Sequence, residues 1–397
     1  MAQQVNNCRC SNRLRYIVWL SGSANIILVL RFFALRLPRG LKEFNNKKTR
    51  KPALIPHNIP MSKRITLADV AELAGVSAIT VSRVINNPVK VSAGVRERVD
   101  HAIDRLGYIP NRSASALASA RSGIIGVIIP SLSNSVFTEV LRGIYDQTGP
   151  AGFQVLLADS HYSPLEEEKL VRTLLGQAPE GLIITGGDQT EATRKLLRNA
   201  AIPVAQIMES VEDPIHMNVG FSHRAAAFDM VKQLTQRGFQ RLGFMGARMD
   251  TRAQQRLQGY RQAMNQSGLS DDGLIVTTPR PSSLAMGAEL FRSLMAQSQG
   301  CCEAIFCVND DLALGALFEC QRMHLAVPEK MAICGFNDME AAARVNPPLS
   351  SVYVPRYDMG VQATQMVLAA IAGEVPAETK VNCGYQLRMR ESTQRQH

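Results

Sequence analysis

The chain contains Thr66-Leu-Ala-Asp-Val-Ala-Glu-Leu-Ala-Gly-Val-Ser-Ala-Ile-Thr-Val-Ser-Arg-Val-Ile-Asn86, and this stretch decides the fold of the region around it. Thr66 and Asp69 have the spacing of a capping box, so a first helix is expected to begin here. Gly75 suits a tight turn, and Ser77 can cap a second helix. The stretch therefore predicts two short helices joined by a glycine turn, as in the helix-turn-helix that places its second helix in the DNA major groove.

The apolar spacing assigns a face to each helix. The first helix is predicted to bury Val70, Leu73 and Ala74, and the second to be anchored by Val81, Val84 and Ile85. The side chains left facing outward are small, apolar or hydrogen-bonding: Ser77, Ala78, Ile79, Thr80 and Arg83. An amphipathic helix pair is also common as plain structure, so this pattern alone leaves both interpretations open.

A third helix is predicted between Ser92, its cap, and Gly107, which closes it. Its apolar stripe consists of Val95, Val99, Ile103 and Leu106. The whole region resembles the headpiece of the lactose/galactose repressor (LacI/GalR) family, through residues 66–86 and through Val91-Ser92, Arg96-Glu-Arg-Val99, Ala102-Ile103, Leu106-Gly-Tyr108 and Pro110-Asn111. The resemblance covers residues 61 to about 393. It implies a headpiece over residues 61–110, a hinge over 111–122 and an effector-binding and dimerisation domain over 123–393.

The resemblance also implies which side chains contact DNA. Ala78, Ile79 and Arg83 would face bases, with Arg83 suited to guanine and the apolar pair to thymine methyl groups. Phosphate contacts would come from Ser77, Thr80, Ser82 and Asn86. Thr66, Tyr108 and Asn111 complete the expected DNA-binding set.

The hinge segment is short and rich in small residues, with Leu117 as its one large apolar side chain. Composition by itself favours a flexible linker. The family resemblance instead implies a helix in the DNA minor groove, where Leu117 from each subunit wedges into the central base step and kinks the duplex.

Basic charge is distributed unevenly along the 397 residues, which carry a net charge of +10. Residues 1–60 hold eleven Lys and Arg and one Glu, which accounts for the whole excess. Residues 61–122 hold nine basic and five acidic residues, so the predicted headpiece has the local positive charge that phosphate contacts need. The high pI is therefore a property of the first 60 residues and does not by itself indicate DNA binding.

The first 60 residues include an apolar run of about 15 residues between Tyr16 and Leu30, flanked by arginines. This run is shorter than the roughly 20 residues of a spanning helix. A signal peptide would fit its length, but export would take the headpiece away from DNA. We interpret residues 1–60 as an extension that is disordered or precedes a natural start at Met61; a membrane-tethered regulator is the alternative.

The eight cysteines show no Cys-x-x-Cys pair and no His/Cys spacing typical of zinc. Most lie in apolar runs, which indicates buried thiols in a reducing compartment. The sequence predicts no metal, no cofactor and no catalytic residue, because it contains no nucleophile elbow, metal cluster or cofactor fingerprint. A cytoplasmic protein that is not an enzyme is expected.

From Gly123 onward, short apolar runs alternate with helical stretches, the rhythm of βαβ units and parallel sheets. The predicted strands are 124–129, 154–158, 181–184 and 203–207, then 242–245, 274–276, 304–308 and 331–334. Two such sets predict an α/β fold with two Rossmann-like lobes, similar to periplasmic binding proteins. The resemblance divides them into an N-lobe (about 122–221 with 352–378) and a C-lobe (about 222–351 with 379–393). Thr185-Gly-Gly-Asp188 lacks phosphate-loop spacing and is interpreted as an ordinary turn.

Ligands of such folds bind at the carboxyl ends of the strands, in the crevice between the lobes. The candidate effector residues, at strand ends and matching motif positions, are Asn134, Phe137, Glu209, Arg256, Asn309 and Asn337. Individually, Asn309 could instead cap a helix, and Arg256 could pair with a core carboxylate.

The chemistry of these residues favours an acidic sugar. A guanidinium such as Arg256 can bind a carboxylate through two hydrogen bonds. Asn337 takes a place where many sugar-binding members carry Asp, which removes a repelling charge. The chain looks most like the gluconate-operon repressors of the family. Glu209 argues against an anion, and a neutral sugar or a purine is the alternative.

The combined prediction is a homodimeric, allosteric repressor that binds a pseudo-palindromic double-stranded operator and answers to a small-molecule effector. The rival from another class is an envelope solute-binding receptor, for which the headpiece resemblance would be accidental.

Overall fold

The computed structural model describes residues 65–109, 121–374 and 377–394 of the chain. The chain forms two compact units, with the boundary between Ala102 and Ile103. The predictions for residues 1–60, for Asn111 and for Leu117 lie outside the described residues.

Three helices make up the headpiece: α1 (Leu67–Ala74), α2 (Ala78–Asn86) and α3 (Ala93–Leu106), with a 3₁₀ turn at Pro88–Lys90. The predicted capping box is confirmed, since the Asp69 amide donates to Thr66 Oγ1 and the Thr66 amide donates to Asp69 Oδ2. Gly75 ends α1 in the left-handed region at φ 63°, where glycine carries no steric penalty. The predicted cap at Ser77 is also confirmed.

The headpiece core consists of Val70, Val81 and Val99, which are fully buried. The prediction that Leu73 is buried is wrong, because its side chain is 41% exposed. Only one narrow face of α1 is buried, and Val70, Ala71 and Ala74 fill that face.

The N-lobe is a parallel sheet with helices on it. Its strands are β1 (Ile124–Ile129), β2 (Gln154–Asp159), β3 (Gly181–Thr185), β4 (Val204–Ile207), β5 (Met217–Gly220) and β11 (Lys380–Asn382). Its helices are α4 (Val136–Thr148), α5 (Pro164–Leu175), α6 (Glu191–Asn199) and the returning α11 (Arg356–Ile371). The strand order is β11-β5-β4-β3-β1-β2, with every pairing parallel. Gly143 and Gly360 let α4 and α11 approach so closely that a Cβ at Gly360 would lie 2.2 Å from the Val140 carbonyl oxygen.

The C-lobe repeats this plan with four parallel strands in the order β7-β6-β8-β9. The strands are β6 (Leu242–Ala247), β7 (Ile275–Thr278), β8 (Ala304–Cys307) and β9 (Ala332–Cys334), and the helices are α7 (His223–Gln236), α8 (Thr251–Gln266), α9 (Leu284–Gln297) and α10 (Asp310–Arg322). Cys302, Cys307, Cys320 and Cys334 are buried free thiols, as predicted. Short 3₁₀ turns lie at Asp272–Leu274 and Glu340–Ala343.

The chain passes between the lobes three times, at residues 221–223, 350–356 and 382–386. A two-stranded antiparallel ribbon, β10 (Ser351–Tyr353) with β12 (Gln386–Arg388), joins the last two passages, and a 3₁₀ turn at Glu391–Thr393 ends the described chain. β11 pairs with β5, so the N-lobe sheet extends past the predicted limit of residue 378. The prediction also omitted β5, because Met-Asn-Val-Gly has no distinctive strand pattern.

Candidate functional site

The second headpiece helix, α2, presents an uncovered face. Ser77 Oγ accepts a hydrogen bond from the Thr80 amide at 3.2 Å and so fixes where the helix begins. Ala78 and Arg83 are exposed, and Ile79 is 66% exposed. An isoleucine this exposed leaves apolar surface in water that a partner could cover. The face thus combines a guanidinium with apolar side chains, the pair of groups that suits guanine acceptors and thymine methyls.

Other predicted DNA contacts are already engaged within the chain. Thr66 Oγ1 donates to Asp69 Oδ2 at 2.7 Å, so its hydroxyl belongs to the cap of α1. Asn86 Nδ2 donates to the Ser82 carbonyl oxygen at 3.0 Å, although Asn86 is exposed. Tyr108 is only 8% exposed, so little of its ring is open to a partner.

A cavity of about 160 Å³ lies in the cleft between the lobes. In each sheet the first strand is flanked by the second strand on one side and the third on the other, which makes β1/β3 and β6/β8 the switch points. Crevices at the carboxyl ends of such strands are where α/β folds bind ligands. The cavity is lined from residues that follow these strands on both lobes.

Five of the six predicted effector residues line this cavity: Asn134, Phe137, Arg256, Asn309 and Asn337. The sixth, Glu209, is buried at 4% exposure but is not among the lining residues. Further lining residues that the sequence analysis did not select include Tyr162, His223, Arg248, Asp250, Arg252 and Ser282.

Arg256 is held by uncharged groups rather than by a core carboxylate. Its Nη1 donates to the Val308 carbonyl oxygen at 2.5 Å, and its Nε donates to His223 Nδ1 at 3.3 Å. Its guanidinium carbon lies 3.8 Å from the centre of the Phe336 ring, a cation–π contact. Burial lowers the pKa of Arg256 to about 10, so the side chain stays charged at neutral pH. It is a fixed positive charge in the cavity wall, and the carboxylates of Asp250 and Asp310 favour that charge through space.

His223 begins α7 and lies in the cavity wall, although the sequence did not single it out as a site residue. It is fully buried, and its Nε2 lies 3.0 Å from the Met208 carbonyl oxygen while Nδ1 faces Arg256. Burial, together with the charges of Arg256 and Arg252, holds the pKa of His223 well below its usual range. The neutral ring therefore donates through Nε2 and accepts through Nδ1, which orients Arg256 in the cavity wall.

Arg252 lies one turn before Arg256 on the same face of α8. It is 9% exposed, and among the described residues its Nη1 has no hydrogen-bond partner. Although burial opposes the charge, the carboxylates Asp250, Asp188 and Glu209 raise the pKa of Arg252. A pair of arginines four residues apart just after a helix cap was the sequence signal that could have revealed this residue.

Tyr162 closes one side of the cavity from the N-lobe. The guanidinium carbon of Arg248, on the C-lobe, lies 4.0 Å from the centre of the Tyr162 ring. Asn134 Nδ2 donates to the Tyr162 hydroxyl at 2.8 Å. Tyr162 and Arg248 both have positive φ, at 59° and 64°. Both residues of this contact between the lobes therefore adopt an unfavourable backbone conformation.

The side-chain amides of Asn309 and Asn337 line the C-lobe side of the cavity, and that of Asn309 already makes hydrogen bonds within the chain. Asn309 caps α10 through Oδ1, which accepts from the Leu312 amide, while its Nδ2 donates to Ser282 Oγ at 2.8 Å. It therefore caps a helix and lines the cavity at once. Asn337 is 4% exposed and has φ 106°, a backbone region that asparagine adopts more readily than most residues. Its neutral amide adds no negative charge to the wall.

The headpiece and the two-lobed core each match known proteins. Residues 66–111 match the lacI family of bacterial regulatory proteins, and residues 231–393 match a periplasmic binding protein-like domain. The HTH-type transcriptional regulator GntR of Pseudomonas aeruginosa is 41% identical over 337 residues, which cover 85% of this chain and 98% of that protein. The chain belongs to the lacI family of bacterial regulatory proteins.

Solved structures of this family share the fold. A LacI-family regulator from Silicibacter pomeroyi superposes with a TM-score of 0.79 at 34% identity, over 83% of this chain and all of that one. The lac repressor dimer bound to operator and an anti-inducer gives a TM-score of 0.70 at 27% identity, over 83% of this chain and 99% of that one. The predicted family and the predicted fold class are therefore confirmed.

The described residues contain neither a metal-ligand cluster nor a helix that could span a membrane. No group of three or more His, Cys, Asp or Glu side chains among them is arranged to hold a metal ion. Within the same residues, no helix is both long and apolar enough to cross a bilayer.

A buried carboxyl group, Asp310, lies beside the cavity wall at the start of α10. It accepts hydrogen bonds from Ser351 Oγ at 2.6 Å and from the Met339 amide at 2.7 Å. Burial raises the pKa of Asp310 to about 7, and these two donors only partly offset it. Ser351 belongs to a passage between the lobes, so Asp310 anchors that passage to the C-lobe.

Asp310 should make the protein less stable as the pH rises. Its carboxyl has a pKa of 3.8 in an unfolded chain and about 7 when folded. The folded state therefore keeps a proton that the unfolded state loses, and this stabilisation disappears between those values. The Asp310→Asn variant should show a flatter decline of the unfolding free energy between about pH 4 and about pH 7, measured by urea denaturation. Asp272→Asn, at an exposed carboxylate, is the control; an equal slope in Asp310→Asn and wild type would contradict the assignment.

Proposed function

We propose that this lacI-family protein is a homodimeric transcriptional repressor of sugar-acid utilisation genes, and that a sugar acid such as gluconate releases it from a pseudo-palindromic operator. It acts in the cytoplasm and is not an enzyme. The observation that carries the proposal is the pair Arg252 and Arg256, two buried guanidinium groups that line one cavity.

Burial opposes both charges of this pair, although nearby carboxylates offset that cost for Arg252. Like charges four residues apart destabilise a helix by about 0.2–0.5 kcal/mol, and cations near its N-terminus oppose the dipole. Both arginines also lose hydration, since each is 9% exposed. A site that keeps two such charges is suited to an anion, which would gain from both guanidinium groups and from the positive end of α8.

The remaining wall fits the polyhydroxyl part of a sugar acid. The cavity presents hydroxyl and amide groups, which can both donate to and accept from ligand hydroxyls: Ser131, Ser133, Asn134, Ser282, Asn309 and Asn337. The lining includes the carboxylates Asp250 and Asp311 but three arginines, so positive charge is in excess. Glu209, which argues against an anion on sequence grounds, is not part of the lining.

The DNA-binding half of the proposal rests on α2. Ala78, Ile79 and Arg83 form an exposed row, and the same row would contact bases while Ser77, Thr80, Ser82 and Asn86 approach phosphates. The lac repressor relative is a dimer on its operator. A dimer of this chain would place two such helices in adjacent major grooves, which explains why the operator should be pseudo-palindromic.

The test is operator release by candidate effectors. A duplex selected from a random pool by the full chain would be labelled, and its dissociation followed by anisotropy as gluconate, 2-ketogluconate, glucose or a purine is added. Release by the acids alone supports the proposal. Release by glucose or a purine alone would keep the repressor and discard the sugar acid, and failure to select any DNA would favour the solute-receptor alternative.

A further inference from the structure

We propose that Asp188 is a positioning residue that holds Arg252 across the cleft, and that an acidic effector takes its place on that guanidinium. The acid group of the ligand would then bind Arg252 and, at the same time, break the ion pair between Asp188 on the N-lobe and Arg252 on the C-lobe. This inference rests on the proposed function, since it assigns a role to the carboxylate of the same effector.

Arg252 has unused donor capacity in a buried place. Its Nη1 lies 3.8 Å from Asp188 Oδ1, and its Nε lies 3.8 Å from Asp250 Oδ1. Both distances suit an ion pair but exceed hydrogen-bond length. Among the described residues, Arg252 Nη1 has no hydrogen-bond partner at all. A ligand carboxylate that approached within about 2.8 Å would make the charge-assisted bond that Asp188 does not make.

The turn that carries Asp188 is shaped around this contact. It follows β3 on the N-lobe, whereas Arg252 is on the C-lobe. Gly186 has φ 79°, and a Cβ there would lie 2.5 Å from Arg252 Nη1 and 2.9 Å from Asp188 Oδ1. Glycine is thus required for the backbone conformation, and a Cβ would also displace the ends of these two side chains. The turn at residues 185–188, which we interpreted from the sequence as an ordinary turn, thus contacts the guanidinium of Arg252.

Two neighbouring contacts cross the cleft at the same place. Thr251 Oγ1 donates to Asp188 Oδ2 at 3.2 Å, and Gln255 Nε2 donates to Glu209 Oε1. Glu209 Oε2, by contrast, is buried and has no hydrogen-bond partner among the described residues. The start of α8 is therefore tied to the N-lobe by two carboxylates, and neither satisfies Arg252 fully.

The exchange follows from electrostatics. Arg252 faces Asp188, Asp250 and Glu209, so its charge is already compensated at long range. An incoming carboxylate adds a fourth negative charge, which favours displacement of the most loosely held one. Of these three carboxylates, that of Asp188 is the most exposed. The Asp188 side chain is 31% exposed and the Asp250 side chain 18%, whereas Glu209 is only 4% exposed. A neutral sugar brings no charge and leaves the Asp188 tie in place.

The test compares Asp188→Asn with Asp213→Asn in the full chain. Asp213 is a suitable control because it pairs with Arg194 and Arg198 within the N-lobe, away from the cleft. Gluconate and neutral gluconamide affinities would be measured by calorimetry, and the operator Kd with and without gluconate by anisotropy. We expect Asp188→Asn to bind gluconate about 5-fold more tightly, because a competing carboxylate is removed. Gluconamide affinity should stay unchanged.

The coupling ratio separates exchange from simple repulsion. It is the operator Kd with gluconate divided by the operator Kd without it. If the ligand carboxylate displaces Asp188 from Arg252, this ratio should fall in Asp188→Asn, because the variant lacks the ion pair between the lobes that the ligand would break. Tighter gluconate binding with an unchanged ratio would mean repulsion only and would overturn the inference, as would unchanged gluconate affinity. If the wild-type protein binds no sugar acid, the proposed function fails first, and that result is distinct from either.

Discussion

Replacing Arg256 by glutamine is expected to abolish the response to the effector while operator binding persists. The side chain is fixed by Val308 and His223 and lies over Phe336, so its charge is presented to the cavity in one orientation. The glutamine variant should lose both charge-assisted hydrogen bonds that the Arg256 guanidinium would donate to a ligand carboxylate. We expect at least about a 100-fold loss of gluconate affinity, measured by calorimetry.

The matched control for this variant is Arg261→Gln on the same helix. Arg261 is exposed and pairs with Asp272 away from the cavity, so it removes the same charge without touching the wall. Arg256→Gln should also lower the thermal midpoint, because the Val308 carbonyl and His223 lose a buried donor. Retained operator affinity would show that the variant is folded. Gluconate binding within a few-fold of wild type would place the acid elsewhere in the cavity.

Replacing Arg83 by alanine should weaken operator binding and relax the sequence preference at one base pair in each half-site. Arg83 is exposed on α2 beside Ile79, where a guanidinium can reach guanine O6 and N7. We expect a loss of roughly 5- to 150-fold in operator affinity for each half-site, and so a larger loss for the dimer, measured by anisotropy in fixed salt. Effector affinity should be unchanged, because the cavity lies in the other compact unit.

Arg98→Ala is the control for Arg83→Ala, since Arg98 is an exposed arginine of the same headpiece on α3. A general charge effect would weaken all duplexes alike in both variants and would show as a smaller salt dependence. A base contact instead changes the ranking of duplexes in Arg83→Ala alone. Identical behaviour of the two variants would remove Arg83 from base recognition.

Local features of the fold could be predicted because their causes are local. The capping box of Thr66 and Asp69 and the turn at Gly75 depend on residues within three or four positions, and the structure confirms them. The strand 124–129 was predicted correctly to the residue, since five of its six residues are β-branched, which favours a short strand over a helix. Burial in a small unit was harder: Leu73 has the right spacing, but the described residues leave it 41% exposed.

The site was predictable only in part, for a physical reason. Asn309 and Asn337 follow strands, so topology alone brings them to the cavity. His223 could not be placed in the same way, and for Arg252 the only sequence signal was its spacing from Arg256, because the roles of both residues depend on contacts between elements far apart in sequence. His223 meets Arg256 across 33 residues and Arg252 meets Asp188 across the cleft. Glu209 shows the converse, since a residue near a crossover can be buried without reaching the cavity.

The most direct test of the account is the gluconate affinity of the full chain measured twice, free and saturated with operator DNA. Linkage requires that DNA weakens gluconate binding by the same factor by which gluconate weakens DNA binding. An effector-released repressor should bind gluconate more weakly on the operator, with the two factors equal. Equal gluconate affinity with and without DNA would contradict an effector-controlled repressor, and tighter binding on DNA would make the ligand a corepressor.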